Sequence, residues 1–112
     1  MIKFLKSDVN KTKPVATDIF LTFKATDLNE EEYKFLKSRL NLYTFDIDPE
    51  YAVTSETEYN ESLKTILIGI NIIIPDRLLS QGIITKILSD HIKGFQKFYK
   101  EQKNNFKLIF SA

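Results

Sequence analysis

The chain of 112 residues contains no cysteine and no tryptophan, and only three glycines, three prolines and one histidine. Without thiols there are no disulfides, thiolate zinc sites, iron–sulfur clusters or cysteine nucleophiles. The glycines stand singly at positions 69, 82 and 94, so no glycine-rich loop can cradle a phosphate or dinucleotide. No Gly-x-Ser-x-Gly elbow occurs, and His91 alone leaves no triad to assemble. Among the basic residues only Arg39 and Arg77 are arginine. Bidentate recognition of phosphates and base edges favours arginine, which weakens a nucleic-acid reading. No uninterrupted apolar segment approaches the roughly 20 residues of a membrane helix. Residues 1–8 lack the apolar core of a secretory signal. The expectation is a cytoplasmic chain with no cofactor, no functional metal and no membrane contact.

What is present is a core. Hydrophobic residues make up 43% of the chain, with nine Phe and five Tyr. That is enough for one domain without metal or disulfide staples. The most informative stretch is 62–75, a β-branched run closed by Pro75. It is too rich in isoleucine for a helix and too short to span a bilayer. Ile66, Ile68, Ile70, Ile72 and Ile74 fall on one strand face, Leu67 and Ile73 on the other. A strand apolar on both faces belongs in the middle of a covered sheet.

Residues 17–25 alternate, with Ile19, Leu21, Phe23 and Ala25 inward against Asp18, Thr22 and Lys24. Asn29 then reads as a helix N-cap. Glu30, Glu31 and Glu32 occupy the first turn, where the helix dipole favours anions, and Glu32 holds the capping-box position. Leu28 and Tyr33 have the spacing of a hydrophobic staple. This helix is predicted to end near Leu40. From residue 42 the alternation of Tyr43, Phe45 and Ile47 with Thr44, Asp46 and Asp48 predicts a strand, interrupted at Pro49 by a bulge or edge position and resuming at Tyr51 and Val53. A turn at 58–61 leads into the isoleucine strand. A second helix is predicted to begin between Asp76 and Ser80, with Leu79, Ile83, Ile87, Ile92, Phe95 and Phe98 as its buried stripe. Gly82 and Gly94 each weaken a helix, and either could mark a kink or a late start. Asn104 and Asn105 read as the stop. Phe106, Leu108 and Phe110 then predict a last strand.

The resulting expectation is a single α+β domain over residues 17–112. Its order is βαββαβ, that of a ferredoxin-like split-βαβ sheet with two helices on one face. Residues 1–16 form either an arm or an additional N-terminal edge strand.

The charges are unevenly placed. Residues 45–61 hold Asp46, Asp48, Glu50, Glu56, Glu58 and Glu61 with no base. Residues 86–107 hold six lysines against Asp90 and Glu101. Asp46, Asp48 and Glu50 share one parity, which could place three oxygens near a divalent ion, but Pro49 intervenes and the calcium-loop glycine is missing. A solvated acidic face accounts for them better. His91 beside Asp90 reads as structural, because neighbours on a helix diverge by about 100°. Aromatics among the lysines, Phe95 and Phe98 above all, have core spacing.

These features point to a small non-enzymatic protein that binds another protein, of the inhibitor, immunity or phage and microbial accessory kind. The expected partner-facing residues are Asp46, Asp48, Glu50, Glu56 and Glu58, suited to a basic partner. A homodimer is also expected, through the sheet face opposite the helices, which would carry either Ile66, Ile68, Ile70 and Ile72 or Leu67 and Ile73. The alternative is a nucleic-acid-binding regulator that uses Lys93, Lys97, Lys100 and Lys103.

Overall fold

The parity of residues 65–75 sets the layering of the molecule. In the computed structural model, which describes residues 1–13, 16–45, 47 and 49–110, these residues form a central strand of a four-stranded antiparallel sheet. The elements run β1 (Ile2–Lys13), β2 (Ala16–Ala25), α1 (Glu30–Phe45), β3 (Ala52–Asn60), β4 (Thr65–Pro75) and α2 (Ile83–Phe110), with a short 3-10 turn at Asp76–Leu78. The strand order is β1-β2-β4-β3. β2, α1 and β3 make a split βαβ unit, with β4 inserted between its two strands. The order is compatible with a ferredoxin-like arrangement.

The register puts like with like. Ile19 faces Ile72, Leu21 faces Ile70, Phe23 faces Ile68 and Ala25 faces Ile66. All eight have no measurable exposure. Both helices close this layer through Leu36, Leu40, Ile87, Phe95 and Tyr99. The rings of Phe23 and Phe95 are 4.6 Å apart. Each fully buried isoleucine contributes about 1.5–3 kcal/mol, so this two-strand ladder dominates the stability of the fold.

α1 starts as its sequence dictates. The Glu32 amide donates to Asn29 Oδ1 at 2.9 Å, and Glu32 Oε1 reaches back to the Asn29 amide at 3.5 Å. Glu32 also pairs with Lys103 of α2. α2 begins late. Gly82 has φ +80°, a conformation that costs other residues strain, and the helix proper starts at Ile83.

Two predicted strands are corrected. Residues 42–45 continue α1, because Tyr43 extends the stripe of Leu36 and Leu40 and packs edge-on against Phe95 at 5.1 Å. The two-residue alternation there was a short coincidence with helical spacing. Ile47 is buried beyond the helix end, whereas Asp46 and Asp48 lie outside the described residues.

Residues 106–110 are the last turns of α2, not a strand. Phe106 and Phe110 are four apart and so share one helix face. Both rings meet Phe35 of α1, at 5.6 and 6.1 Å. Leu108, between them in sequence, is 79% exposed. The Asn104–Asn105 pair does not stop the helix, and Asn105 Nδ2 instead donates to Gln102 Oε1. In the βαββαβ order the last strand lies beside the first. Here β1 takes that edge, pairing with β2 from Ile2 opposite Ala25 to Lys13 opposite Ala16. The N-terminal segment is therefore the edge strand rather than a loose arm.

The two faces of β4 are expected to differ sharply in energetic weight. Ile70→Ala should lower the unfolding free energy by about 2–5 kcal/mol, as buried large-to-small changes do. Leu67→Ala, on the opposite face, should cost about 0.5 kcal/mol or less. Urea unfolding of both variants checks this, and equal losses would mean that both faces are equally covered.

Candidate functional site on the open face of the sheet

The face of the sheet away from the helices is built in four levels fixed by register. Lys3, Lys24, Leu67 and Glu58 stand side by side across β1, β2, β4 and β3. The next level is Lys6, Thr22, Gly69 and Glu56. Asp8, Phe20, Asn71 and Thr54 follow, then Asn10, Asp18, Ile73 and Ala52. A register shift between Phe4 and Lys6 leaves Leu5 as the odd residue of β1. Such a bulge keeps Lys3 and Lys6 on one face although they are an odd number apart.

Gly69 lies at the centre of this face. A Cβ there would stand 2.6 Å from Phe20 Cζ and 3.1 Å from Glu56 Cγ. The missing side chain lets the Phe20 ring lie across the strand. Around it is a groove of about 410 Å³ lined by Phe20, Thr22, Glu56, Glu58, Leu67 and Gly69 among others. Thr22 Oγ1 is sequestered there without a hydrogen-bond partner. A second groove of about 390 Å³ adjoins it through Glu58 and Leu67, and Lys24 lies on its rim. Leu67 is 40% exposed, while Phe20 and Ile73 are half-buried. Asn71 Nδ2 donates to Asp18 Oδ1 at 2.8 Å, which neutralises part of the far end.

The charge on this face is divided. Lys3 and Lys24 are directly opposed across two strands, a like-charge arrangement that destabilises a sheet. Glu56 and Glu58 repeat the situation in negative sign along β3, where both are exposed. Among the described residues none of these four takes part in an ion pair. Lys6 has only a loose one, 3.8 Å to Asp8.

The structure distributes the expected site residues unequally. Glu56 and Glu58 point outward on the edge strand β3. Glu50 is drawn to Arg77 at 3.2 Å. Asp46 and Asp48 are not among the described residues, and with them the expected acidic row. Among the described residues no group of three or more His, Asp and Glu could hold a metal ion. Ile66, Ile68, Ile70 and Ile72 are core under the helices, not an open face. Phe23 and Leu21 turn the same face of β2 inward, so of the two expected sets it is Leu67 and Ile73 that lie on the uncovered side, together with Gly69 and Asn71. Lys93, Lys97 and Lys100 are exposed on α2, but Asp90 and Glu101 flank them, and Lys103 is tied to Glu32. Phe20 is the site residue easiest to overlook. It is an aromatic sharing the parity of Asp18, Thr22 and Lys24.

A second polar cluster lies between the helices. Tyr43 Oη is 2.7 Å from His91 Nδ1, beside a surface groove of about 330 Å³ that also touches Asp90, Lys97 and Glu101. Gly94 lies alongside, where a Cβ would stand 3.8 Å from Tyr43 Oη, an ordinary contact distance. Burial lowers the His91 pKa below its ordinary 6.5, against the opposing pull of Asp90. Burial also pushes the Tyr43 phenol up. At neutral pH both groups are uncharged and engaged with each other, which suits a tie between the end of α1 and α2. The 48 residues separating them hide the pairing from local sequence patterns.

In comparisons with known proteins, no family model, no curated protein and no solved structure matches the chain.

The His91 environment implies a pH dependence. A histidine whose folded pKa is depressed leaves the unfolded chain binding more protons as pH falls. Stability is then full above about 6.5, and declines as pH drops from the unfolded pKa toward the folded one. Thermal melting at about pH 8 and about pH 5 is expected to show a smaller loss for His91→Gln than for the wild type. Equal losses would show that this ring does not sense the change.

Proposed function

We propose that this chain is a small non-enzymatic protein-binding module, of the inhibitor or immunity kind, that docks a protein on the open face of its sheet. The observation that carries this reading is the combination on that face of half-exposed apolar groups, Phe20, Leu67 and Ile73, with unpaired charge at its margins. Apolar surface gives a partner something to bury, and unpaired charge gives it something to neutralise. Glu56 and Glu58 on β3 also discourage indiscriminate pairing along that edge, which favours docking on the face over strand addition. The α2 lysines support nucleic-acid binding less well, since Asp90 and Glu101 flank the stripe, Lys103 is engaged by Glu32 and the whole chain carries a net charge of only +1.

Charged rims act mainly on the association rate. Wild-type protein and a Glu56→Gln/Glu58→Gln variant, each immobilised, are to be exposed at low ionic strength to the proteins of the native cell. The expected outcome is a retained protein that associates about tenfold more slowly with the variant, the difference vanishing at high salt. A partner bound equally fast by both would exclude this face. So would binding that is lost instead in Lys93→Gln/Lys97→Gln/Lys100→Gln.

A further inference from the structure

We infer that the occupant of the open face is a second copy of this chain, packed sheet against sheet about a two-fold axis that runs along the strands. The inference rests on the reading of that face as the docking surface and names its partner.

Register supplies the argument. A two-fold axis parallel to the strands and above the β2–β4 boundary keeps each level at its height and exchanges the two sides of the sheet. β3 of one copy then lies over β1 of the other, and β4 over β2. At the first level Glu58 meets Lys3 of the second copy, with Lys24 beside it. At the second level Glu56 meets Lys6. The two-fold doubles each contact, so both sets of unneutralised like charges find opposite charge at once. Phe20 comes over Asn71, and the side-chain-free strip at Gly69 receives Thr22. A two-fold axis across the strands does less. It stacks β1 on β1 and β3 on β3, and no position along the strands gives Lys3 and Glu58 opposite charges together.

The dimensions agree. Aligned sheets pack about 10 Å apart with a small twist, a gap that Lys and Glu side chains span from both sides. Four strands spaced about 4.8 Å and four levels about 6.8 Å apart outline roughly 500 Å² per copy before side-chain relief is counted. That is near the lower end for specific interfaces, so the dimer is weak and salt-sensitive.

Lys3 and Glu58 lie on opposite edges of one sheet, three strand spacings or about 14 Å apart. A zero-length carbodiimide cross-link between them can therefore form only between copies. In a mixture of isotopically light and heavy wild-type protein, mixed light–heavy Lys3–Glu58 and Lys6–Glu56 cross-links are expected. Sedimentation equilibrium then tests the charges. Glu56→Lys/Glu58→Lys alone and Lys3→Glu/Lys6→Glu alone should each weaken dimerisation about tenfold or more. Mixing the two variants should restore it. All four positions are exposed, and circular dichroism verifies that each variant is folded. Three results would overturn the inference: a wild type monomeric at all concentrations, a dimer indifferent to both reversals, or reversals that fail to rescue each other. If the wild type stays monomeric yet a cellular protein still depends on Glu56 and Glu58, the docking face stands and only its occupant is wrong.

Discussion

The pairing of β2 with β4 is the constraint on which the rest of the molecule depends. Its inward residues form a continuous apolar strip, Ile19 to Ala25 against Ile66 to Ile72. A one-residue slip would turn Asp18, Phe20, Thr22 and Lys24 into the core and leave the isoleucines in water. The register is therefore held by burial. Everything on the outer face inherits its position from that fact, including the level at which each lysine and each glutamate stands.

The helices complete the layer by antiparallel packing, with the start of α1 beside the end of α2. Glu32 serves two purposes at that junction, closing the cap of its own helix and holding Lys103 of the other. At the opposite end Tyr43 meets His91, Phe95 and Phe98. Both ends of the pair are thus fastened by a polar contact beside an aromatic cluster, and the middle by Leu36, Leu40 and Phe95. The layer leaves one sheet face to solvent, and the polar character of β3 on that face, Thr54, Glu56, Glu58 and Asn60, is consistent with its being uncovered.

Much of this architecture was legible from periodicity, because burial imposes it directly. The alternation in 17–25 and 65–75 and the Asn29 start of α1 rest on local rules that the tertiary structure did not need to override. The failures have a common cause. Tyr43–Phe45 and Phe106–Phe110 are short apolar stretches whose spacing satisfies a strand and a helix alike, and only the ring contacts with Phe95 and Phe35 decide between them. β1 was ambiguous because the residues on its helix-side face, Ile2, Phe4, Ser7 and Val9, lose their alternation at the Leu5 bulge, and only Ile2 and Phe4 among them pack on the core. The site was harder still. Its charges come from three strands, and no local pattern relates Lys3 to Lys24 or either to Glu58.

The placement of β1 also changes how the chain must assemble. In the βαββαβ order, two pairings at the sheet centre and edge join distant parts of the chain. Here β1–β2 and β3–β4 are both hairpins closed within a few residues. Only β2–β4 is non-local, and it is also the most apolar seam. Loop-closure entropy is then opposed once, by the contact best able to offset it. A chain so arranged has its slow step and its strongest interaction in the same place, so folding reduces to two ribbons zipping along a single line.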